Sequence, residues 1–331
     1  MRISVAVPVR NEASSIRVLL DELLSQTLEP AEIILTDGGS SDATPEIIEE
    51  FIGRGAPVKL LRERKALPGR ARNVSAQHCQ SDWIAFIDAG NKPAGDWLAN
   101  LARKVIDDPS IDVVYGSYDP IIDDFFTECA AIAYVPPAVN SAEGPVRPRS
   151  IVSALMRRKA WEDAGGFPEH LRSAEDLLFM NKVEQLGFHS VRAPQAKVYW
   201  TIQPGLWSTF RRFSVYARNN IRAGLWRQWQ AAIFRRYALV ILIAVPAIFA
   251  GVKWLIVPSL LWLALMVGRA VKALMQNQNS YPAGILRNIL RLLLIVPIVA
   301  TLDAAAFTGT ISWLLRDQLR LALTKHDDSG A

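Results

Sequence analysis

Cysteine is almost absent: Cys79 and Cys129 are the only two in 331 residues. This excludes a disulfide-stapled secreted scaffold. Neither has a partner at metal-ligand spacing, so both read as ordinary buried residues of a reducing compartment. The opening residues are not expected to be a signal peptide either. The opening "MRISVAVPVRNE" has only a short apolar run, closed by Pro8, Arg10, Asn11 and Glu12, and no small-residue cleavage site. The soluble part is therefore expected to stay in the cytoplasm, with a membrane part inserted after it. Acids are missing from residues 211–236, which hold Arg211, Arg212, Arg218, Arg222, Arg227, Arg235 and Arg236 among Phe213, Tyr216, Trp226, Trp229 and Phe234. Because this stretch abuts an apolar run, it reads as interfacial helices facing anionic headgroups, not as a nucleic-acid surface.

Two apolar runs dominate the C-terminal third. Residues 238–267 hold one charge, Lys253, and residues 292–315 hold one, Asp303. Core helices rarely exceed ~14 apolar residues, so both runs read as membrane segments. The first is interrupted by Pro246, Gly251, Lys253 and Pro258, and a tight hairpin at Gly251–Lys253 is expected. The link that follows carries Arg269, Lys272, Arg287 and Arg291 without an acid, which places it on the cytoplasmic side. The second run is one span or a re-entrant hairpin. Asp303 is either a functional residue or the marker of that hairpin's turn, and Arg316, Arg320 and Lys325 in the tail favour the hairpin.

The first 210 residues read as a globular α/β domain without internal repeats. Short β-rich runs (3–9, 31–37, 58–63, 82–89, 111–118 and 151–158) alternate with helical patterns at 12–27, from Thr44-Pro45, and at 69–79, 97–106 and 174–187. Thr44 is expected as N-cap, and 136–150, rich in Pro, Ser and Gly, as a mobile loop. The alternation predicts a mostly parallel sheet with helices on both faces, and ligands beyond the carboxyl ends of its strands. Asp37 and Asp88 stand at such ends, and Glu175-Asp176 opens a helix. An aspartate there is ordinarily a turn former or cap. Together, however, these acids suit the demands of sugar transfer: holding a nucleotide, neutralising a diphosphate leaving group and deprotonating an acceptor.

In order along the chain stand "VAVPVRNEASSIRVLLDELLSQT", "EIILTDGGSSDATPEII", "GRARNVSAQHCQSDWIAFIDAGNKPAGDWL", "AGGFPEHLRSAEDLLFMNKVEQLGF" and "FRRFSVYARNN". In this order they resemble glycosyltransferase family 2, whose catalytic domain has the GT-A fold, over residues 3 to about 220. The last stretch, followed by membrane segments, looks most like bacterial exopolysaccharide or lipid-linked oligosaccharide glycosyltransferases.

The resemblance implies that Pro8, Arg10 and Glu12 line the base pocket and that Asp37 meets base or ribose. It brings Gly69, Arg70, Arg72 and Asn73 to the nucleotide. Asp88 becomes the first acid of the D-x-D motif, and Asp176, beside Glu175, the general base. Arg211, Arg212, Tyr216 and Arg218 match the basic segment for a leaving diphosphate or a lipid phosphate. One position departs from the family: the second acid of D-x-D is Gly90. Either Asp88 still holds Mg²⁺ or Mn²⁺ with the substrate diphosphate and waters, or Lys92 supplies charge in the metal's place.

The implied architecture is a GT-A domain (1–210), basic interfacial helices (211–236), transmembrane or re-entrant hairpins (237–316) and a polar tail (317–331). The implied protein is an inverting enzyme of the bacterial inner membrane, multi-pass, with a cytoplasmic catalytic domain. It would use a nucleotide-sugar, with uridine the usual base, and a polyprenyl- or other lipid-linked acceptor. A polyprenyl-phosphate sugar synthase and a non-catalytic GT-A membrane scaffold are the alternatives.

Overall fold

The computed structural model describes residues 1–318. In chain order the elements are β1 (Ile3–Val9), α1 (Ile16–Leu24), β2 (Glu32–Asp37), α2 (Thr44–Gly53), β3 (Val58–Arg62), α3 (Pro68–His78), β4 (Trp83–Phe86), β5 (Asn91–Pro93), α4 (Trp97–Asp107), β6 (Val113–Ile121), α5 (Phe125–Tyr134), β7 (Val139–Ser141), β8 (Gly144–Val146), β9 (Ala154–Arg157), α6 (Arg158–Asp163), α7 (Glu175–Gln185), β10 (Ser190–Thr201), α8 (Leu206–Arg222), α9 (Trp226–Trp229), α10 (Ala231–Ala250), α11 (Ile256–Gln276) and α12 (Ile285–Trp313). Residues 1–121 and 138–201 form one compact unit, and residues 122–137 belong with those from 202 onward in a second. Helix α5 thus groups with the C-terminal helices, although the sequence reading left it inside the first domain.

The first unit is built on an eight-stranded sheet in the order β3-β2-β1-β4-β9-β6-β10-β5. Strands β3, β2, β1 and β4 run parallel. Strand β9 lies antiparallel between β4 and β6, β10 is parallel to β6, and β5 closes the edge antiparallel to β10. Strand β1 is buried along its whole length, as expected of a strand covered on both faces. On one face Ile16, Leu19, Leu20 and Leu23 of α1 pack with Trp97, Leu98 and Leu101 of α4. On the other, Phe167 and the α7 residues Phe179, Met180 and Val183 pack with Phe86 and Tyr115. Both free cysteines are buried. Thr44 stands inside α2 with Ala43 as cap, and its hydroxyl is spent on Asp42 and the backbone of Glu12. The stretch expected as a mobile loop contains the β7-β8 hairpin.

In the second unit, α5 opens with a capping box between Asp124 and Thr127. Among the described residues three helical stretches are long and apolar enough to cross a membrane: Ala231–Ala250, Val252–Gln276 and Ile285–Gln318. Gly251, at φ 115°, parts α10 from a short 3₁₀ turn before α11, where the hairpin was expected. Helix α12 runs unbroken through Pro297 and Asp303, so Asp303 lies inside a helix and marks no turn. It is fully buried and paired with Arg269 of α11 at 2.5 Å. Helix α8 packs on α12 at Gly309, where a Cβ would stand 2.5 Å from the Ser214 carbonyl oxygen and 2.6 Å from the Ala217 Cβ. The tail from residue 319, with Arg320 and Lys325, lies outside the described residues.

Candidate active site

The parallel strands β1, β2 and β4 deliver their successor loops to one end of the sheet. The loops after β1 and β2 are tied together: the Asn11 N–H donates to Ser40 Oγ, Ser41 N–H donates to Asn11 Oδ1, and Glu12 N–H donates to Thr44 Oγ1 at 2.8 Å each. Asn11 pays for this position with a φ of 56°, uncommon outside glycine. Asp37 is buried and caps its own turn, accepting the Ser40 N–H at 3.0 Å and hydroxyl at 2.6 Å. Pro8 lies opposite Thr36 in the sheet, and Arg10, at the end of β1, is exposed.

Arg72 of α3 is the hub. It is 4 % exposed, donates through Nη1 to Glu175 Oε1 at 2.6 Å and through Nη2 to Asp88 Oδ1 at 2.7 Å, and stacks over the Phe167 ring. One side chain thus joins the first acid after β4 to the acid pair that opens α7. Burial pulls the Arg72 guanidinium's pKa down, but the carboxylates of Asp88, Glu175 and Asp176 outweigh it and hold it above its ordinary value. Burial pushes the carboxyls of Glu175 and Asp176 above their ordinary range, against the pull of Arg72. The preceding residue, Ala174, sits at φ 71° in the left-handed region. Such strain in a non-glycine residue collects at functional sites. Two atoms of the hub have no partner although buried: Arg72 Nε and Glu175 Oε2.

The neighbours divide. Gly69 is required sterically, because any Cβ there would strike the Pro168 carbonyl. Asn73 is engaged by the loop before α7: Nδ2 donates to Phe167 O and Glu169 Oε1, both at 2.9 Å, and Oδ1 accepts the Phe167 N–H at 2.8 Å. It therefore positions the "GGFPE" loop. Arg70 is paired with Glu63 at 3.3 Å and Glu169 at 3.4 Å. Glu169 and Phe167, which brace Asn73 and Arg72, stand in the "AGGFPE" stretch, where nothing local in the sequence signals those long-range contacts. Lys92 is exposed on edge strand β5. Arg211, Arg212, Tyr216 and Arg218 lie on α8 in the second unit, where Arg212 Nε donates to Tyr216 Oη at 2.7 Å and Arg218 grips Asp317 through two bonds.

Gly90 is the position where an acid was missing. A Cβ placed there would meet only the carboxylate oxygens of Glu12, at 3.7 and 3.9 Å. Glu12 Oε2 accepts from the Ser15 hydroxyl at 2.6 Å. Among the described residues no three His, Cys, Asp or Glu side chains gather closely enough to hold a metal by themselves. The donor set nevertheless fits a divalent ion that shares its coordination with a diphosphate. Asp88 is one-third exposed with one oxygen tied to Arg72, and a second carboxylate, Glu12, borders the space vacated at Gly90.

Residues 4–163 match the family described as glycosyl transferase family 2. The pre-mycofactocin glycosyltransferase of Mycobacterium tuberculosis is 30 % identical over 188 residues, 53 % of this chain and 37 % of that one, so this chain spans well under half of that relative. The succinoglycan biosynthesis protein ExoA of Rhizobium meliloti is 24 % identical over 290 residues, covering 84 % of this chain and 87 % of its own. The mannosyltransferase PcManGT of Pyrobaculum calidifontis, solved with GDP-Man and Mn²⁺, shares the fold at a TM-score of 0.55, with 20 % identity over 96 % of this chain and 88 % of that one. The mostly parallel sheet, the acids at its strand ends and the motif order agree with these matches: residues 4–163 carry a family 2 glycosyltransferase domain, and the fold is GT-A.

Proposed function

We propose that this glycosyltransferase is an inverting enzyme that carries a sugar from a nucleoside diphosphate, with uridine as the base, to a hydroxyl of a lipid-linked acceptor. The observation that carries the reading is the Arg72 hub, which fixes the first acid after β4 to the acid pair at the start of α7. Asp176 is the base. Its raised pKa makes it a better proton acceptor than an ordinary carboxylate. The acceptor oxygen gives its proton to Asp176 and bonds to the anomeric carbon as the bond to the diphosphate breaks. One displacement at that carbon inverts its configuration. Arg72 holds Glu175 in place, and so sets the surroundings in which Asp176 works. Asp88 and Glu12 would hold a divalent ion, which supplies charge to the departing diphosphate. Lys92 contributes positive charge from β5.

The acceptor's lipid nature rests on the three apolar helical stretches and the acid-free basic segment before them. The same features support residence in a bacterial inner membrane, multi-pass, with the catalytic unit on the cytoplasmic side and the α8 arginines near acceptor or headgroup phosphate. The test is transfer by purified full-length protein in detergent with native polar lipid, screening UDP- and GDP-sugars with Mg²⁺, Mn²⁺ or EDTA. Asp176→Asn is expected to lower turnover by ~10²–10⁴, the worth of a positioned base. If Asp176→Asn keeps its rate, the nucleophile is a lipid phosphate that needs no base, and the enzyme is a polyprenyl-phosphate sugar synthase. Failure to bind any nucleotide-sugar would leave only the scaffold.

A further inference from the structure

Away from Arg72, the first unit holds a second polar cluster to which neither the family match nor the motifs assign a role. It arises from an irregularity between β6 and β10. Arg192 is in register with Tyr115 and Lys197 with Ser117, so residues 193–196 of β10 bulge out opposite Gly116 alone. Any side chain at 116 would overlap Ser153 Oγ and the Ala196 carbonyl, so the bulge packs directly onto that glycine. Bulges of this kind re-aim side chains and recur beside active sites. Here the bulge leaves Arg192 beside Tyr115 on the sheet face that α7 covers. Arg192 donates to the Arg147 carbonyl and has no acid partner among the described residues. Burial presses its pKa below the ordinary value, which marks a cation short of counter-charge.

The surroundings keep that charge uncompensated. Arg147 and Lys197 share one acid, Asp119, at 3.1 and 3.2 Å. Arg149 is held by α7, through Asn181 Oδ1 at 2.8 Å and Glu184 Oε2 at 2.7 Å. Among the described residues the ion pairs here join Arg147, Lys197 and Arg149 to Asp119 and Glu184, and none includes Arg192. Tyr115 is 2 % exposed, and its hydroxyl is buried without a hydrogen-bond partner. Burial pushes that hydroxyl's pKa up to about 12, so it remains a donor. Tyr118, three residues further along β6, lies within the electrostatic reach of both Arg192 and Asp176. A guanidinium without an acid partner, a second arginine braced by α7 and a hydroxyl donor without an acceptor are the groups that recognise an oxyanion.

We propose that Arg192, Arg149 and the Tyr115 hydroxyl bind a phosphate-type anion carried by the acceptor, and so set the acceptor hydroxyl toward Asp176. This rests on the reading of Asp176 as the base for a lipid-linked acceptor. Arg192 and Tyr115 are positioning residues, and their signature is a change in acceptor KM with little change in kcat.

The experiment uses full-length protein in detergent, as wild type, Arg192→Lys, Arg192→Ala and Tyr115→Phe. UDP affinity is measured by calorimetry in each, and a retained value reports an intact fold. UDP-saturated samples are then titrated with inorganic pyrophosphate, a short-chain prenyl diphosphate and glucuronate. Transfer to native polar lipid is followed in parallel. The expected result is that wild type binds prenyl diphosphate and pyrophosphate in addition to UDP. Arg192→Ala should weaken both by about 10- to 100-fold, the range for a charged hydrogen bond, and raise the acceptor KM by a similar factor. Arg192→Lys should recover part of the loss, and Tyr115→Phe should cost about threefold. Three results overturn the inference: anion binding unchanged in Arg192→Ala, binding of pyrophosphate but not of prenyl diphosphate, or preference for glucuronate. Absence of transfer by wild type would sink the functional reading instead, and the titrations with UDP-saturated protein would still decide the anion site.

Discussion

Arg72 in the first unit and Arg291 in the second are equally hidden, at 4 % and 3 % exposed, and both end on carboxylates. Their completeness differs. Arg291 of α12 reaches Glu128 of α5 through Nε and Nη2, and its Nη1 donates to the Tyr281 carbonyl and Asn288 Oδ1, both at 2.9 Å. Glu128's other oxygen takes Arg287. Arg72 leaves Nε without a partner, and its acid Glu175 leaves Oε2 bare. A buried polar atom without a partner costs about 1–3 kcal/mol, so a protein keeps one only where something else needs it. The saturated network ties two helices together. On the proposed reading, the unsaturated one is a site held ready for a ligand.

Truncation should separate the two most sharply. Arg72→Ala leaves Asp88, Glu175 and Asp176 facing one another without a cation, and is expected to cut turnover by ~10³ or more. Arg291→Ala strands Glu128, and a broken buried pair costs ~3–5 kcal/mol. Its expected effect is a large fall in thermal stability with UDP affinity unchanged in the protein that remains folded. Calorimetric melts and UDP titration of both variants check the contrast. Equal loss of nucleotide affinity in both would dissolve it.

The sequence exposes these two networks unequally, for a physical reason. Asp37, Asp88 and Glu175-Asp176 are legible because strand and helix ends are punctuated locally, by "DGGS", by "DAG" and by "AED". The parallel β1-β2-β3 order follows from the same alternation. What stays hidden is long-range pairing. Nothing near residue 91 says that β5 will close the edge against β10, or that β10 will bulge over Gly116 and turn Arg192 toward Tyr115. Nor does the spacing reveal that Glu12, after β1, borders Gly90, after β4, because that adjacency exists only once β1 and β4 pair. Asn73 reads as a nucleotide contact in its motif, yet its amide is spent on the 166–169 loop. Residues 125–134 carry no helical reading in the sequence and fall within 1–210, yet in the structure they form α5, whose Glu128 finds Arg287 and Arg291 more than 150 residues later.

The site network should also respond to pH where the structural one does not. Asp176 must be ionised to accept a proton, and its folded pKa is raised by burial. With Asp176 as the proposed base, turnover is expected to rise with pH through the raised folded-state value, then level off. Stability should run the other way. The native state holds the proton more tightly than the unfolded chain, so the contribution is full below the unfolded pKa and declines as pH rises through the folded one. Asp176→Asn should flatten its share of both curves. Rates and melting temperatures recorded on one pH series make the check, and curves that rise together would remove Asp176 from the role of base.

The mildest intervention is at Gly90, and it asks what completes the site that Arg72 leaves open. A Cβ there meets no atom within 4 Å except the Glu12 carboxylate oxygens, and Gly90 has no positive φ, so the backbone accepts a Cβ without strain. It would place a third carboxylate with Asp88 and Glu12. Affinity of an oxygen-ligand site for a divalent ion rises with ligand charge count, and about tenfold tighter Mn²⁺ binding is expected. Without metal, the same three carboxylates repel, and a loss of less than about 1 kcal/mol of stability should appear, reversed by Mn²⁺. Mn²⁺ titration by paramagnetic resonance and melts with and without the ion measure both effects. Tighter binding with a metal-dependent melt would mean that Glu12 and Asp88 already frame an ion site. Unchanged Mn²⁺ affinity would mean that the diphosphate is met by Lys92 and arginine instead, and that the open atoms around Arg72 wait for substrate alone.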